Sequence, residues 1–222
     1  MIHRSADVAR DDIVRVGRSL YERGHVHGSA GNISVRLDDG SVLITPGDAC
    51  LGALEPARIA HVGVDGTALG GDPPSKTLAL HRAIYAAAVA ARCVIHTHST
   101  HLVALTLAGV WSAADIVPPI TPYFVMKVGH VPLLPYRRPG DPETAVQVGA
   151  LIGAAAARGV PLRAVMLDRL GPNVWHATLA QASAVLEELE ETARLWLLSM
   201  ARATPLDEHR IDELRRHFGA LW

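Results

Sequence analysis

The run Cys93-Val94-Ile95-His96-Thr97-His98 constrains this chain more than any other stretch. It is free of Gly and Pro and rich in β-branched residues, so it reads as a strand, and it continues directly into a helix around Thr100 to Leu107. Successive side chains of a strand alternate between faces, which turns Cys93, Ile95 and Thr97 one way and His96 and His98 the other. Two neutral imidazoles on one face can share a Zn²⁺, Mn²⁺ or Fe²⁺ ion. A catalytic zinc site takes about three protein ligands plus water, so the pair sets up a search for a third. The bland alternative is a pair of core histidines satisfied by hydrogen bonds.

The chain's 222 residues, 49% of them hydrophobic, suffice for one sizeable core, and one domain over residues 1–222 is expected. With a formal charge of −1 and scattered Lys and Arg, there is no basic stripe for nucleic acid and no polybasic segment for an anionic membrane. The partner is then a small molecule or another copy of the chain. The opening MIHRSADVARDDIVRV is too charged for a signal peptide, and no apolar run reaches the ~18 residues of a membrane span, which together read as a cytoplasmic protein. Cys50 and Cys93 sit among apolar residues as buried reduced thiols do, and two cysteines make no disulfide framework. Among the histidines, His3, His25, His27, His61, His209 and His217 lack a suitably spaced partner and read as solvated or core-satisfied.

Val8, Ile13, Val16 and Leu20 recur at helical spacing from Asp7 to Arg23, and Gly24 closes the pattern. Ile33–Leu37 and Ser41–Ile44 flank Asp38-Asp39-Gly40 as a hairpin. A third strand over Ile59–Val64 ends at Asp65-Gly66, and Ser75 can cap a helix from Thr77 to Ala90. The Pro-rich middle, Ile116 to Pro139, holds two short extended pieces, Tyr123–Val125 and Val131–Leu134. Asp141 can cap a helix over Pro142–Ala157 ended by Gly159, and Ala164–Leu167 is a further strand. Leu179–Arg202 reads as a long amphipathic helix, with Glu190 and Arg194 paired on its wet side, followed by a short helix over Asp207–Phe218. Antiparallel hairpins with flanking helices argue for α/β layers.

Ser29-Ala30-Gly31-Asn32-Ile33-Ser34, Ile44-Thr45-Pro46, Pro74-Ser75, His96-Thr97-His98 and Gly171-Pro172 occur in an order that resembles the class II aldolase/adducin family. Longer strings, Thr121 to Gly129, Tyr136 to Pro142 and Glu187 to Ala193, are similar to its 3-oxo-tetronate 4-phosphate decarboxylase branch. The resemblance implies a three-layer α/β/α fold with a mostly antiparallel central sheet, and a homotetramer with active sites at subunit interfaces. It also implies retro-aldol cleavage, epimerisation or decarboxylation assisted by a divalent metal, zinc or manganese, at a developing enolate oxygen.

Three positions depart from the family pattern. Leu170 stands where the third metal histidine precedes Gly-Pro, Thr77 stands where an acid follows Pro-Ser-Lys, and Gly47-Asp48 replaces a small hydroxyl residue and a glycine beside the phosphate site. A carboxylate at position 48 would repel a dianionic phosphate unless a cation intervened, so a substrate without phosphate is expected. Other candidates for a third ligand are His101, His130, Asp168 and His176.

The family match makes Ser29, Gly31, Asn32, Thr45 and Ser75 candidate substrate-binding residues and His96 and His98 metal ligands or polarising groups; read from the residues themselves, Lys76 can hold a substrate carboxylate or simply be solvated, and Tyr123 can move a proton or pack its ring with its hydroxyl on the backbone. Turn chemistry alone would also account for the Gly, Ser and Asn residues. The resulting expectation is a carbon–carbon lyase acting on a small oxo- or hydroxy-acid or sugar acid. A non-catalytic, adducin-like scaffold is the rival.

Overall fold

The computed structural model describes residues 5–222; His3 and the first part of the charged N-terminal stretch lie outside them. Helix α1, Ala6–Glu22, starts at Ser5, whose side chain accepts the Val8 N–H. The hairpin β1, Asn32–Arg36, and β2, Val42–Ile44, follows as the Asp-Gly turn requires. Next come β3, Ala60–Val62, and β4, Ala68–Gly70, the latter an exposed hairpin partner that the sequence pattern does not announce. Helix α2, Leu78–Ala87, begins at Thr77, which makes no side-chain cap. Ser75 lies two residues earlier, accepts the Thr77 N–H at 3.4 Å, and is therefore not the cap that the sequence suggested.

Strand β5, Cys93–His96, ends two residues short of expectation, and α3 covers Thr100–Ala108. The segment expected to be extended at Tyr123–Val125 is instead a π-helical turn, Phe124–Val128, directly preceded by Tyr123 in helical conformation. Phe124 is driven into the core there and packs on Trp222, with ring centroids 5.4 Å apart. After the two-residue β6, Leu133–Leu134, the order is α4, Pro142–Ala157, β7, Ala164–Leu167, β8, Gly171–His176, α5, Leu179–Leu198, and α6, Glu208–Phe218.

The strands form one eight-stranded sheet in the order β4-β3-β2-β1-β5-β8-β7-β6, antiparallel except for the β6–β7 pair. Alternation along the strands sends Ile33, Val35, Cys93, Ile95 and Val174 into a core shared with α1, α3 and α5. Val42, Ile44, Val94, Val165 and Trp175 enter a second core with α2 and α4. This is the expected three-layer α/β/α arrangement.

Glu190 corrects another expectation. It is 7% exposed, not on the wet side of α5, and Arg194 pairs with Glu191. Its Oε1 accepts the His101 N–H at 2.9 Å and its Oε2 accepts the Leu102 N–H at 3.0 Å, so it caps α3 from a neighbouring helix. Ser99 at the N-cap makes no such bond, and the α3 dipole favours a carboxylate at that end. Cys93 is buried, whereas Cys50 is only half-buried.

Candidate active site

Sheet pairing sets Asn32, His96 and Asn173 in one row across β1, β5 and β8, on the face covered by α2 and α4. Two glycines bring this row together. A Cβ on Gly31, whose φ is +84°, would lie 2.7 Å from the His96 carbonyl, and one on Gly171, with φ +123°, would lie 2.0 Å from the Thr97 carbonyl. Only glycine lets the starts of β1 and β8 press on the His96–His98 segment from both sides.

His98 lies beyond the strand, in the connection to α3, so simple alternation does not govern it. Its ring nonetheless meets that of His96 edge-on, with centroids 5.0 Å apart and planes at 68°. His96 Nδ1 donates to the Pro172 carbonyl at 2.9 Å, which leaves the Nε2 lone pair for the cleft.

The neighbouring loops are stitched to this row. The Thr45 N–H donates to the Ile33 carbonyl at 3.0 Å, Thr45 Oγ1 accepts the Ile33 N–H at 3.2 Å, and the Ser75 N–H donates to the Thr45 carbonyl at 3.2 Å. The result is a cleft of about 220 Å³ that is lined by Ser29, Gly31, Asn32, Ser75, Lys76, His96 and His98 together with Thr77, Asp48 and Leu170. Seven of the nine sequence-level candidates thus converge. Thr45 does not: it is fully buried and spends its hydroxyl on the backbone. Tyr123 does not either; it is 58% exposed, with Lys127 Nζ 5.6 Å from its ring centroid.

Residue-level reasoning missed Arg138, Asp141 and Thr144, which also line the cleft. The loop that carries them folds onto the Lys76 stem, since a Cβ on Gly140 would sit 3.7 Å from Lys76 Cγ and Cδ. Their string was visible in the family resemblance, but no local spacing linked it to the histidines. The other candidate ligands are engaged elsewhere: His101 Nδ1 with Glu190 at 2.8 Å, His130 Nδ1 with Asp115 at 2.9 Å, and His176 Nδ1 with the Ala177 N–H at 2.9 Å. Asp168 follows β7 and does not line the cleft.

Burial pushes His96 down to about 4, reinforced by His98 and opposed by the Pro172 carbonyl. It also lowers His98, with His27 adding to the effect. Behind them His81 is pushed down to about 3, by burial first and by His96 second. His81 Nδ1 bonds Ser34 Oγ at 2.7 Å, and the same oxygen bonds the Tyr85 hydroxyl at 2.7 Å. All three imidazoles are neutral near pH 7.

This has a measurable consequence. An unfolded histidine takes up a proton below about pH 6.5, whereas folded His96 and His81 resist until about 4 and about 3. The stability they contribute is present above pH ~6.5 and is lost as pH falls, by up to ~1.4 kcal/mol per pH unit per histidine. Urea midpoints at pH 7.5, 6.5 and 5.5 should fall on acidification, and His81→Gln should flatten that slope. Equal slopes in both proteins would show that His81 is not held neutral.

Comparison with known proteins agrees with this geometry. Residues 11–197 match the family described as Class II Aldolase and Adducin N-terminal domain. The chain belongs to this family. It is 56% identical over 218 residues, 96% of this chain and 97% of the relative, to a Cupriavidus necator protein named 3-oxo-tetronate 4-phosphate decarboxylase. An Escherichia coli K12 protein of the same name is 40% identical over 207 residues, 93% of this chain and 94% of its own. The solved structure of YgbL from Escherichia coli superposes with a TM-score of 0.86 at 39% identity, covering 95% of this chain and 99% of that one. An L-fuculose 1-phosphate aldolase, 21% identical, shares the fold with a TM-score of 0.79 over 98% of each chain. The chain is therefore a lyase of the class II aldolase family.

This family typically uses a divalent metal. The donor set here does not fit a complete cage within one chain. His96 and His98 offer imidazoles, but Leu170 presents an alkyl group and Thr77 only a hydroxyl. No group of three or more His, Cys, Asp or Glu among the described residues is arranged to hold a metal ion.

Proposed function

We propose that this lyase decarboxylates a 3-oxo-tetronate 4-phosphate. The observation that carries the reading is the near full-length 56% identity to a relative bearing that name, joined to a cleft in which the expected binding residues converge. The scaffold alternative finds no support among relatives named as enzymes.

The expectation of a substrate without phosphate rested on Asp48 alone. Asp48 does line the cleft, yet Lys76 and Arg138 line it too, and they supply the cations that the repulsion argument lacked. The phosphate is held by these two side chains with the Ser29–Asn32 and Ser75 backbone loops. Asn32 reaches the substrate oxygens from β1; its buried Oδ1 has no partner among the described residues. Neutral His96 and His98 orient the keto and hydroxyl oxygens, His96 through its free Nε2. Tyr123 delivers the proton that replaces the lost carboxylate, acting in a neighbouring subunit's cleft of a homotetramer.

Incubating the purified protein with 3-oxo-tetronate 4-phosphate should release CO2 with saturable kinetics, and the phosphate-free 3-oxo-tetronate should require a far higher concentration. Absence of CO2 release overturns the reading. Equal KM values for the two compounds would restore the substrate without phosphate.

A further inference from the structure

Leu170, Leu80 and Leu167 are packed in one apolar cluster, and each also lines the cleft. The backbone that carries Leu170 is fixed against the His96–His98 segment, because Gly171 lies against the Thr97 carbonyl, closer than any side chain would allow. The cleft thus joins an alkyl wall to polar groups on Asn32, His96 and His98.

We infer that this leucine wall receives the carboxylate that departs, and that Leu170 speeds decarboxylation by destabilising it there. The inference rests on the proposed decarboxylase reading. In the reaction the C1–C2 bond breaks, its electron pair moves to C2 and on to the C3 oxygen, and C1 leaves as neutral CO2. The enolate then takes one proton at C2, drawn from solvent through the proton donor. Negative charge is therefore present on C1 in the ground state and leaves it in the transition state.

A carboxylate pressed on leucine side chains loses water that they cannot replace, whereas CO2 needs none. The wall destabilises the substrate more than the transition state, and that difference appears in kcat.

The test compares Leu170→Asn with the apolar Leu170→Met, reading CO2 release from 3-oxo-tetronate 4-phosphate. The asparagine variant should lose about 10- to 100-fold in kcat while its KM falls, the signature of relieved ground-state strain. The methionine variant should stay within about 3-fold of wild type in both constants. A tetronate 4-phosphate reduced at C3, which cannot lose CO2, should bind the asparagine variant more tightly than wild type in calorimetry. An unchanged kcat for Leu170→Asn, a raised KM with unchanged kcat, or equal damage in both variants overturns the inference. Wild-type protein that releases no CO2 overturns the decarboxylase reading and this inference with it. Wild-type turnover with an indifferent Leu170→Asn overturns the inference alone.

Discussion

Leu170→His is expected to raise zinc affinity at least about 100-fold over wild type, by supplying the third nitrogen of a tetrahedral site. The other two are already arranged for it. His96 donates from Nδ1 to the Pro172 carbonyl at 2.9 Å, the kind of outer hydrogen bond that fixes a ligating imidazole and leaves Nε2 free. The His98 ring sits 5.0 Å from that of His96, and both are neutral near pH 7, so no proton need be displaced before metal binds. Residue 170 lines the same cleft, with the adjoining backbone fixed by Gly171. Thr77 lines it as well, so Thr77→Glu in the same protein should add a carboxylate ligand or proton acceptor and tighten binding further. Titration against a competing chelator measures both steps. No gain in the single variant would mean that the side chain at position 170 points away from the histidines.

The departures at Leu170 and Thr77 were legible in the sequence because the short motifs beside them, Gly171-Pro172 and Pro74-Ser75-Lys76, fall in the family's order. What surrounds them was less so. Caps and period were enough for α1, the β1–β2 hairpin and α4, where the local signal agrees with the packing. Strand β8 was missed because Gly171-Pro172-Asn173 reads as a turn, yet as a central strand it is buried from Gly171 to Trp175. Glu190 was misplaced by its acidic neighbours, although helical period sets it beside Leu186 and Ala193 on the buried face of α5. The Tyr123 segment was misread because its β-branched and aromatic residues favour a strand in isolation, while Phe124 gains more from burial against Trp222. Arg138 was out of reach, since only the fold brings a loop some forty residues beyond the histidines onto the Lys76 stem.

Tyr123→Phe should lower kcat for CO2 release by about 100- to 10,000-fold with little change in KM, the usual loss when a positioned proton donor is removed. The geometry makes a sharper demand. Tyr123 is 58% exposed and does not line the cleft of its own chain, so its hydroxyl can act only in another subunit's cleft. Its backbone is nonetheless anchored: it directly precedes the π-helical turn whose Phe124 packs on Trp222, and Trp222 in turn stacks on His130 with ring centroids 4.3 Å apart. A rigid turn that presents an exposed tyrosine suits delivery across an interface. If cleft and tyrosine come from different subunits, two inactive proteins can repair each other. Mixing Tyr123→Phe with His98→Ala at equal amounts, after reversible dissociation, should restore about a quarter of wild-type activity, since that share of sites pairs an intact cleft with an intact tyrosine. Light scattering on the same samples should give a tetramer mass. A tetramer with no recovered activity would place the proton donor elsewhere, and a monomer with full wild-type turnover would remove the shared site altogether.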